Sequence, residues 1–567
     1  MDCYIVVTFA PVQGFIEKSR KLRDLYGASQ ILSYLSAKLV EQAKNTPNLE
    51  VISPGLPQVK EGVPNRILIK VNINSQHELQ QIQEQLEQEF FRLWKNILTQ
   101  CQKWIENRLK SYYQSQDWCW DSEWKKWGNY TWELFWGNGD SVESALDNLE
   151  EQKLERAWTA INWIGESSSL TGTDAITWPG LGGKGRNPKH SYWQEEKPKI
   201  EKFYRYLALI LDGKNPSDVD DRQEPEGKYI AANEKLSIPE LTKRLVTHPD
   251  VIEWINQQEE ATTTISSEDR FKLKPPEKFS EIVRRLEDMK HQPQGQWTAW
   301  FMGDGDNVGD YLTNLSKEPN RDENIKAFTE EMRKWGEKFY VEFPEDFGRV
   351  VYAGGDDFLG IIYNPRFDSP DQKAISGQQI IKWLINLPEK WKEGKSEKIN
   401  QNITLSLGLV WAAPSVPQRD VLQHCREAEK RSKQQGKNRV TIRVVFNSGQ
   451  YVQWTCPWEY LEILGTYQDR DEGKNWSHVY NDLAQLKNRQ SFGLNCDKLD
   501  HYCGRSLSND RKGLLDWFEL YFPQSKTLIT DDEKEIFKNK ESKERAWATI
   551  QWIKELILVG WYLDSEV

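Results

Sequence analysis

Residues 4–9, YIVVTF, form a short apolar run, and APVQG after it supplies a turn. Beyond the turn, Phe15, Leu22, Leu25, Ile31, Leu32 and Leu35 recur at helical spacing, with Gly27 as a possible break. A second strand is predicted at 66–73 (RILIKVNI), followed by a long polar helix over about 76–115 rich in Gln, Glu and Lys. Strand–helix–strand order of this kind predicts a ferredoxin-like α/β unit.

Residues 116–295 read as mostly helical and poorly patterned, with loop-like stretches SSSLTGTD (167–174) and PGLGGKGRNPKH (179–190). The second stretch is Gly-rich and basic but lacks the order of a phosphate-binding loop, so it is read as a surface loop. Residues 296–446 are the most regular part of the chain. A strand ending in acids (QWTAWFMGDGD) is followed by a helix near 321–340. A hairpin comes next, RVVYAGGDDFLGIIY, then a helix near 373–389. A strand at 403–412, a helix near 418–435 and a strand at 439–446 complete the run. From 455 onward the pattern is helical and Trp-containing. The expected fold class is multidomain α+β, with domains at 1–115, 116–295, 296–450 and 451–567: a first palm-like unit, a mainly helical segment, a second palm and a C-terminal helical domain.

Composition adds limits. At 567 residues the chain has room for three or four domains. With 38% hydrophobic and 28% charged residues it can bury a sizeable core. No run of 18 apolar residues predicts a membrane span, and the N-terminus reads as a strand rather than a signal peptide. Seven cysteines without a CxxC pair fit reduced thiols and a cytoplasmic setting. A net charge of −11 argues against a chain that grips nucleic acid alone, so RNA contacts are expected to be local or supplied by partners. The 26 Trp serve core packing on the simpler reading, and base stacking or subunit contacts on the sharper one.

The candidate chemistry lies at Gly354–Gly355–Asp356–Asp357, between two apolar strands. Glycines at a tight turn let the backbone approach a ligand closely. Adjacent carboxylates repel, and a divalent cation with a taste for hard oxygen ligands, Mg²⁺ or Mn²⁺, removes that penalty. A plain hairpin turn with solvated acids is the competing reading. Asp304 and Asp306 end the preceding strand, with Gly305 between them, and in a βαββ unit that strand end falls beside the hairpin tip. Asp304, Asp356 and Asp357 would then form a carboxylate cup for one or two metals. The DxDxxG start also resembles a calcium loop, but the expected later Glu is missing. A third piece, AEKRSKQQGKNRVTI (428–442), carries Lys430, Lys433 and Lys437 at a helix end, where a triphosphate could be neutralised. Together these parts suit metal-assisted nucleotidyl transfer, with Gly354, Gly355, Asp306 and Lys433 on the nucleotide side.

The spacing of these pieces resembles the GGDEF/polymerase-palm superfamily. By position, Asp304 and the Gly305 carbonyl look like first-strand metal ligands, Asp356 and Asp357 like the third and fourth signature residues, Phe358 like the fifth, and Lys433 like the phosphate-binding lysine. The opening FAPVQGFIEKSRKLRDLYGASQILSYLS (9–36), NEKLSIPELTKRL (233–245), SLGLVWAAP (406–414) and FNSGQ resemble the large subunit of type III-B (Cmr-type) CRISPR–Cas effector complexes. The resemblance implies two ferredoxin-like palms with intervening and C-terminal helical domains. It also implies assembly with guide RNA and other Cmr-type subunits, and target-RNA-activated synthesis of cyclic oligoadenylate from ATP. The chain departs from that pattern twice. It starts at the first palm, without the HD nuclease domain of many relatives, so DNA cleavage is not expected. Ser stands where zinc-finger cysteines would, in GESSSLTGTD, so no structural zinc is expected. The first palm lacks an acidic loop and is expected to be non-catalytic. By resemblance it would hold an acceptor or second ATP, with Gln13 and Ser29 as contacts against a helix-capping or packing role. The alternatives are transfer from ATP to S-adenosylmethionine, an inactive scaffold and, more weakly, a diguanylate cyclase.

Overall fold

The computed structural model describes residues 2–54, 64–72, 75–155, 165–183, 193–220, 223–260, 273, 295–367, 372–469, 473–496, 498–502, 506–538 and 540–564. The chain divides into two compact units, residues 1–281 with 312–333, and residues 282–311 with 334–567. The Gly-rich segment 179–190 lies outside the described residues from 184 onward. No helix among the described residues is long and apolar enough to cross a membrane.

In the first unit, β1 (Asp2–Ala10), β2 (Leu49–Ser53), β3 (Ile67–Asn72) and β4 (Glu133–Gly139) form an antiparallel sheet ordered β2-β3-β1-β4. β1 is central, with Val6 opposite Leu68 on one side and Gly137 on the other. Helices α1 (Leu22–Asn45) and α2 (Gln76–Leu109) complete a ferredoxin-like βαββαβ unit, and α3 (Val142–Leu154) follows β4. The α1 stripe read from the sequence is buried: Leu22, Leu25, Ile31, Leu32 and Leu35 all join the core.

The boundary drawn at residue 115 cuts through this sheet, because β4 and α3 lie beyond it. β4 reads poorly as a strand because Gly137 and Gly139 look like turn residues. They are glycines because α3 crosses there. A Cβ on Gly137 would lie 2.1 Å from the Ala145 carbonyl oxygen, and one on Gly139 2.1 Å from Ser144 Oγ.

Helix α4 (Ile238–Leu245) crosses α1 so closely that a Cβ on Gly27 would lie 1.9 Å from the Lys243 carbonyl oxygen. Gly27 is therefore a crossing point rather than a break. The polar side chains of α4 are buried and satisfied. Arg244 pairs with Asp24 and, at 2.8 Å, with Glu234, and it also donates to the Tyr229 carbonyl. Lys243 Nζ donates to the carbonyls of Phe15 and Lys18 and so holds the C-terminal end of the short helix Val12–Glu17 that follows β1. The 165–175 loop is fixed by hydrogen bonds: Ser168 and Thr171 hydroxyls donate to Glu240 Oε1 at 3.1 and 2.8 Å.

The second unit holds a six-stranded sheet ordered β10-β9-β8-β5-β7-β6. Its strands are β5 (Thr298–Gly305), β6 (Gly348–Ala353), β7 (Asp357–Ile362), β8 (Leu405–Ala412), β9 (Arg439–Val445) and β10 (Tyr451–Pro457). The β8-β5-β7-β6 part repeats the order of the first sheet. β9 adds in parallel to β8, and β10 folds back on β9 with Tyr451 opposite Val445. The boundary expected after residue 450 thus falls inside a hairpin.

Helices α5 (Arg321–Glu342, in this unit from residue 334) and α6 (Gly377–Lys392) cover one sheet face. Their contact is aromatic. Phe358 lies 5.3 Å from Trp335 and 5.1 Å from Phe339, and Phe301 lies 4.7 Å from Trp383 between ring centroids. Most Trp side chains of the second palm thus serve its core. Helix α7 (Gln418–Gln434) covers the other face, approaching at Gly408, where a Cβ would lie 2.4 Å from the Cys425 carbonyl oxygen. Helix α8 (Ser542–Asp564) docks on the β10 side, with Trp552 Nε1 donating to the Thr455 carbonyl at 2.8 Å and Glu555 paired with Arg431.

The register of β5 on β7 is set by two reciprocal pairs, Phe301 opposite Gly360 and Gly303 opposite Phe358. Each ring covers the facing glycine. A Cβ on Gly303 would lie 2.2 Å from the Phe358 ring, and one on Gly360 2.1 Å from the Phe301 ring. The next pair on the opposite face is Asp304 with Asp357.

Candidate active site

Three sequence-predicted carboxylates meet at one end of the second sheet. Asp304 ends β5, Asp357 opens β7 directly across from it, and Asp356 precedes Asp357 in the hairpin turn. The turn is closed by backbone bonds, Gly354 N to the Asp357 carbonyl and Gly305 N to the Asp356 carbonyl, both at 2.8 Å. Gly355 has φ +127°, which a side chain tolerates poorly, and so requires glycine. Helix α5 braces the turn from behind, since a Cβ on Gly336 would lie 2.9 Å from the Ala353 carbonyl oxygen and 3.2 Å from Gly355 N.

Crowding shapes the electrostatics. Burial raises the Asp356 carboxyl, and the Asp304 charge raises it further. Burial and then repulsion from Asp356 and Asp304 push Asp357 up to about 8. Asp357 as a residue is exposed at the hairpin tip, so water relieves part of the burial penalty, and the upward direction stands on the charge crowding. Asp304 is likewise raised by burial, although Lys433 opposes the shift. Lys433 Nζ lies 2.8 Å from Asp304 Oδ1 and 2.9 Å from Glu429 Oε1. Burial works against its ammonium, but these two carboxylates outweigh it and raise the lysine.

Asp306, expected on the nucleotide side, is 1% exposed and already satisfied. Its Oδ1 accepts from Ser406 Oγ at 2.7 Å, and its Oδ2 accepts from Thr404 Oγ1 at 2.8 Å and Asn438 N at 2.9 Å. That carboxylate has no room for a ligand. It pins the start of β8 and the 436–438 turn to the end of β5. The turn needs such a pin, because Gly436, Lys437 and Asn438 all have positive φ, at 127°, 62° and 50°. Lys437 also reaches Asn307 Oδ1.

Gly354 and Gly355 stand in the turn as expected, their backbone shaping it. Gln13, exposed, and Ser29, half-buried, lie in the first unit. Two residues were missed by sequence reading. Glu429 shares Lys433 with Asp304, and its i,i+4 spacing to Lys433 was a usable signal. Tyr352, on β6, has its phenol raised by burial and then by the nearby Asp357 and Asp304 charges.

Among the described residues, no three His, Cys, Asp or Glu side chains converge on one ion position. The donor chemistry still suits a hard divalent cation: acidic oxygens on adjoining strand ends, all three carboxyls raised by burial, with Asp356 and Asp357 raised further by neighbouring carboxylate charge. The only cationic group paired with Asp304 among the described ion pairs is the Lys433 ammonium.

Comparison with known proteins follows the same division. Residues 297–441 match the family model described as Cas10/Cmr2, second palm domain, and residues 4–99 match CRISPR-associated protein Cmr2, N-terminal. No curated protein matches the chain. Among solved structures, a type III-B Cmr-beta complex in its apo state contains a chain similar at TM-score 0.50 and 11% identity, over 99% of this chain and 82% of that one. The Csm1–Csm4 subcomplex of a type III-A CRISPR-Csm interference complex gives TM-score 0.45 and 12% identity, over 99% and 70%. A Csm1–Csm4 cassette in complex with one ATP gives 0.38 and 12%, over 100% and 70%. At 11% identity the likeness to the Cmr-beta chain is one of fold.

Proposed function

The chain belongs to the Cas10/Cmr2 family of CRISPR-associated proteins, and from that premise we propose that its second palm joins ATP molecules into cyclic oligoadenylate when an assembled type III complex engages target RNA. The observation that carries the reading is the placement of Asp304 directly across from Asp357, with Asp356 next in the turn and Lys433 paired with Asp304. In this reading Asp304, Asp356, Asp357 and the Gly305 carbonyl would hold one or two Mg²⁺ or Mn²⁺ ions. A bound ion would supply charge for the triphosphate and lower the pKa of the attacking ribose hydroxyl. Lys433 faces the phosphates. The hydroxyl oxygen attacks the α-phosphorus of a second ATP, and pyrophosphate leaves. The hairpin, braced by α5, keeps the carboxylates in place. For the first palm, the family resemblance gives Gln13 and Ser29 as contacts of an acceptor or a second ATP. Guide RNA, target RNA and other Cmr-type subunits complete the assembly, consistent with a chain of net charge −11 that needs partners to hold RNA.

The test uses the complex assembled with guide and target RNA, Mg²⁺ or Mn²⁺ and labelled ATP, with and without S-adenosylmethionine. Mass spectrometry reads the products. Product masses rising in AMP steps from ATP alone are expected. Asp356→Ala with Asp357→Ala should abolish them while the complex still assembles. Product only with S-adenosylmethionine would replace the acceptor in this reading, and an RNA-bound complex with no product in either tube would make the chain a scaffold.

A further inference from the structure

We infer that Glu429 is a positioning residue which takes up Lys433 when a divalent cation claims Asp304, and so sets how readily the site accepts that cation; this rests on the metal reading above. One ammonium stands between two carboxylates, 2.8 Å from Asp304 and 2.9 Å from Glu429. It cannot fully neutralise both. The two partners differ in setting. The Asp304 side chain is 36% exposed, while that of Glu429 is 12% exposed on α7, one turn before Lys433.

A cation approaching Asp304 meets the ammonium as a competitor. Without a second acceptor, displacing Lys433 would leave its charge half-buried and unpaired, which is costly. With Glu429 already in contact, Lys433 gives up one partner and keeps the other. It stays within reach of the carboxylates and needs no new rotamer search. The Glu-before-Lys order at i,i+4 is also the favourable one on a helix. Burial raises the Glu429 carboxyl, Lys433 opposes the shift, and the Asp304 and Asp306 charges add to it. Cations facing the cluster from other elements are otherwise engaged: Lys437 on Asn307, and Arg439 on the carbonyls of Lys437, Glu535 and Ile536.

The test is a double-mutant cycle read by direct Mn²⁺ binding to the purified full chain, by calorimetry or by loss of free-ion spin resonance. Wild type, Glu429→Gln, Lys433→Met and the double variant are compared, with thermal melts confirming that each is folded. Glu429→Gln should weaken Mn²⁺ binding by about tenfold in the wild-type background and have little effect in the Lys433→Met background. Equal weakening in both backgrounds would make Glu429 a ligand or a plain long-range charge and overturn the inference. No weakening in either would overturn it too. Asp356→Ala separates the levels. If it abolishes Mn²⁺ binding while Glu429→Gln does nothing, the metal reading survives and this inference fails. If Asp356→Ala binds Mn²⁺ like wild type, the ion is elsewhere and both fail.

Discussion

Replacing Asp306 tests whether a buried carboxylate holds the site together. Asp306→Ala leaves three donors facing a void: the Ser406 hydroxyl, the Thr404 hydroxyl and the Asn438 N–H. The hydroxyls can rotate toward other acceptors, but the backbone N–H cannot. Bonds to a charged acceptor and an orphaned buried donor each weigh a kcal/mol or more, so the loss is expected to be about 3–5 kcal/mol in the second unit. Asp306→Asn is milder. Its carbonyl can face Asn438 N and its amide can donate to a rotated Ser406 hydroxyl, leaving a cost of about 1 kcal/mol. Urea unfolding followed by tryptophan fluorescence measures both, because Trp300 and Trp454 are fully buried in that unit. Activity should follow the same order, with Asn above Ala, because the turn carrying Lys437 and Asn438 loses its pin. An alanine variant within about 0.5 kcal/mol of wild type would refute the account, since surface substitutions change stability by that much.

Gly336→Ala places a methyl group against the Ala353 carbonyl and Gly355 N. Helix propensity gains what the clash loses, so melting should change little, while product formation falls about tenfold or more because the hairpin is displaced; unchanged turnover would show that the turn is not braced there. Burial alone would raise Glu234, but Arg244, Lys21 and the Ala231 N–H outweigh it and hold the carboxyl at about 2. Because that pKa is depressed, its stabilisation is present above the ordinary value of 4.5 and lost as pH falls toward 2. Acid titration of the first unit should lose about 3 kcal/mol over that window, and Glu234→Gln should flatten the slope.

The sequence revealed most where periodicity and chemistry coincided. β5, the β6–β7 hairpin, β8 and β9 carry long apolar runs bounded by turn residues, and each formed close to its expected span. β4 was illegible because its two glycines serve helix packing, a tertiary demand that looks locally like a turn. Gly27 misled for the same reason. Among the candidate site residues, residue type placed Asp304, Asp356, Asp357 and Lys433 together. It could not tell that Asp306, two residues from Asp304, points into a nest of hydroxyls. That distinction depends on Thr404 and Ser406, about a hundred residues away along the chain, meeting the end of β5 through the β5–β8 pairing.

The reciprocal Phe–Gly pairs between β5 and β7 give the acids an address. Strand pairing is a discrete variable, and a slip by one residue turns every side chain to the opposite face. The two rings make the observed setting the only one in which both find an empty partner position, so the location of the carboxylates is stored in four buried residues that carry no charge. A chain altered at Gly303 or Gly360 could keep every acid and lysine yet present them on a face filled with Trp and Phe. Inspection of the acidic motif alone would not detect such a loss, which makes intact signature residues a poor proxy for a competent site.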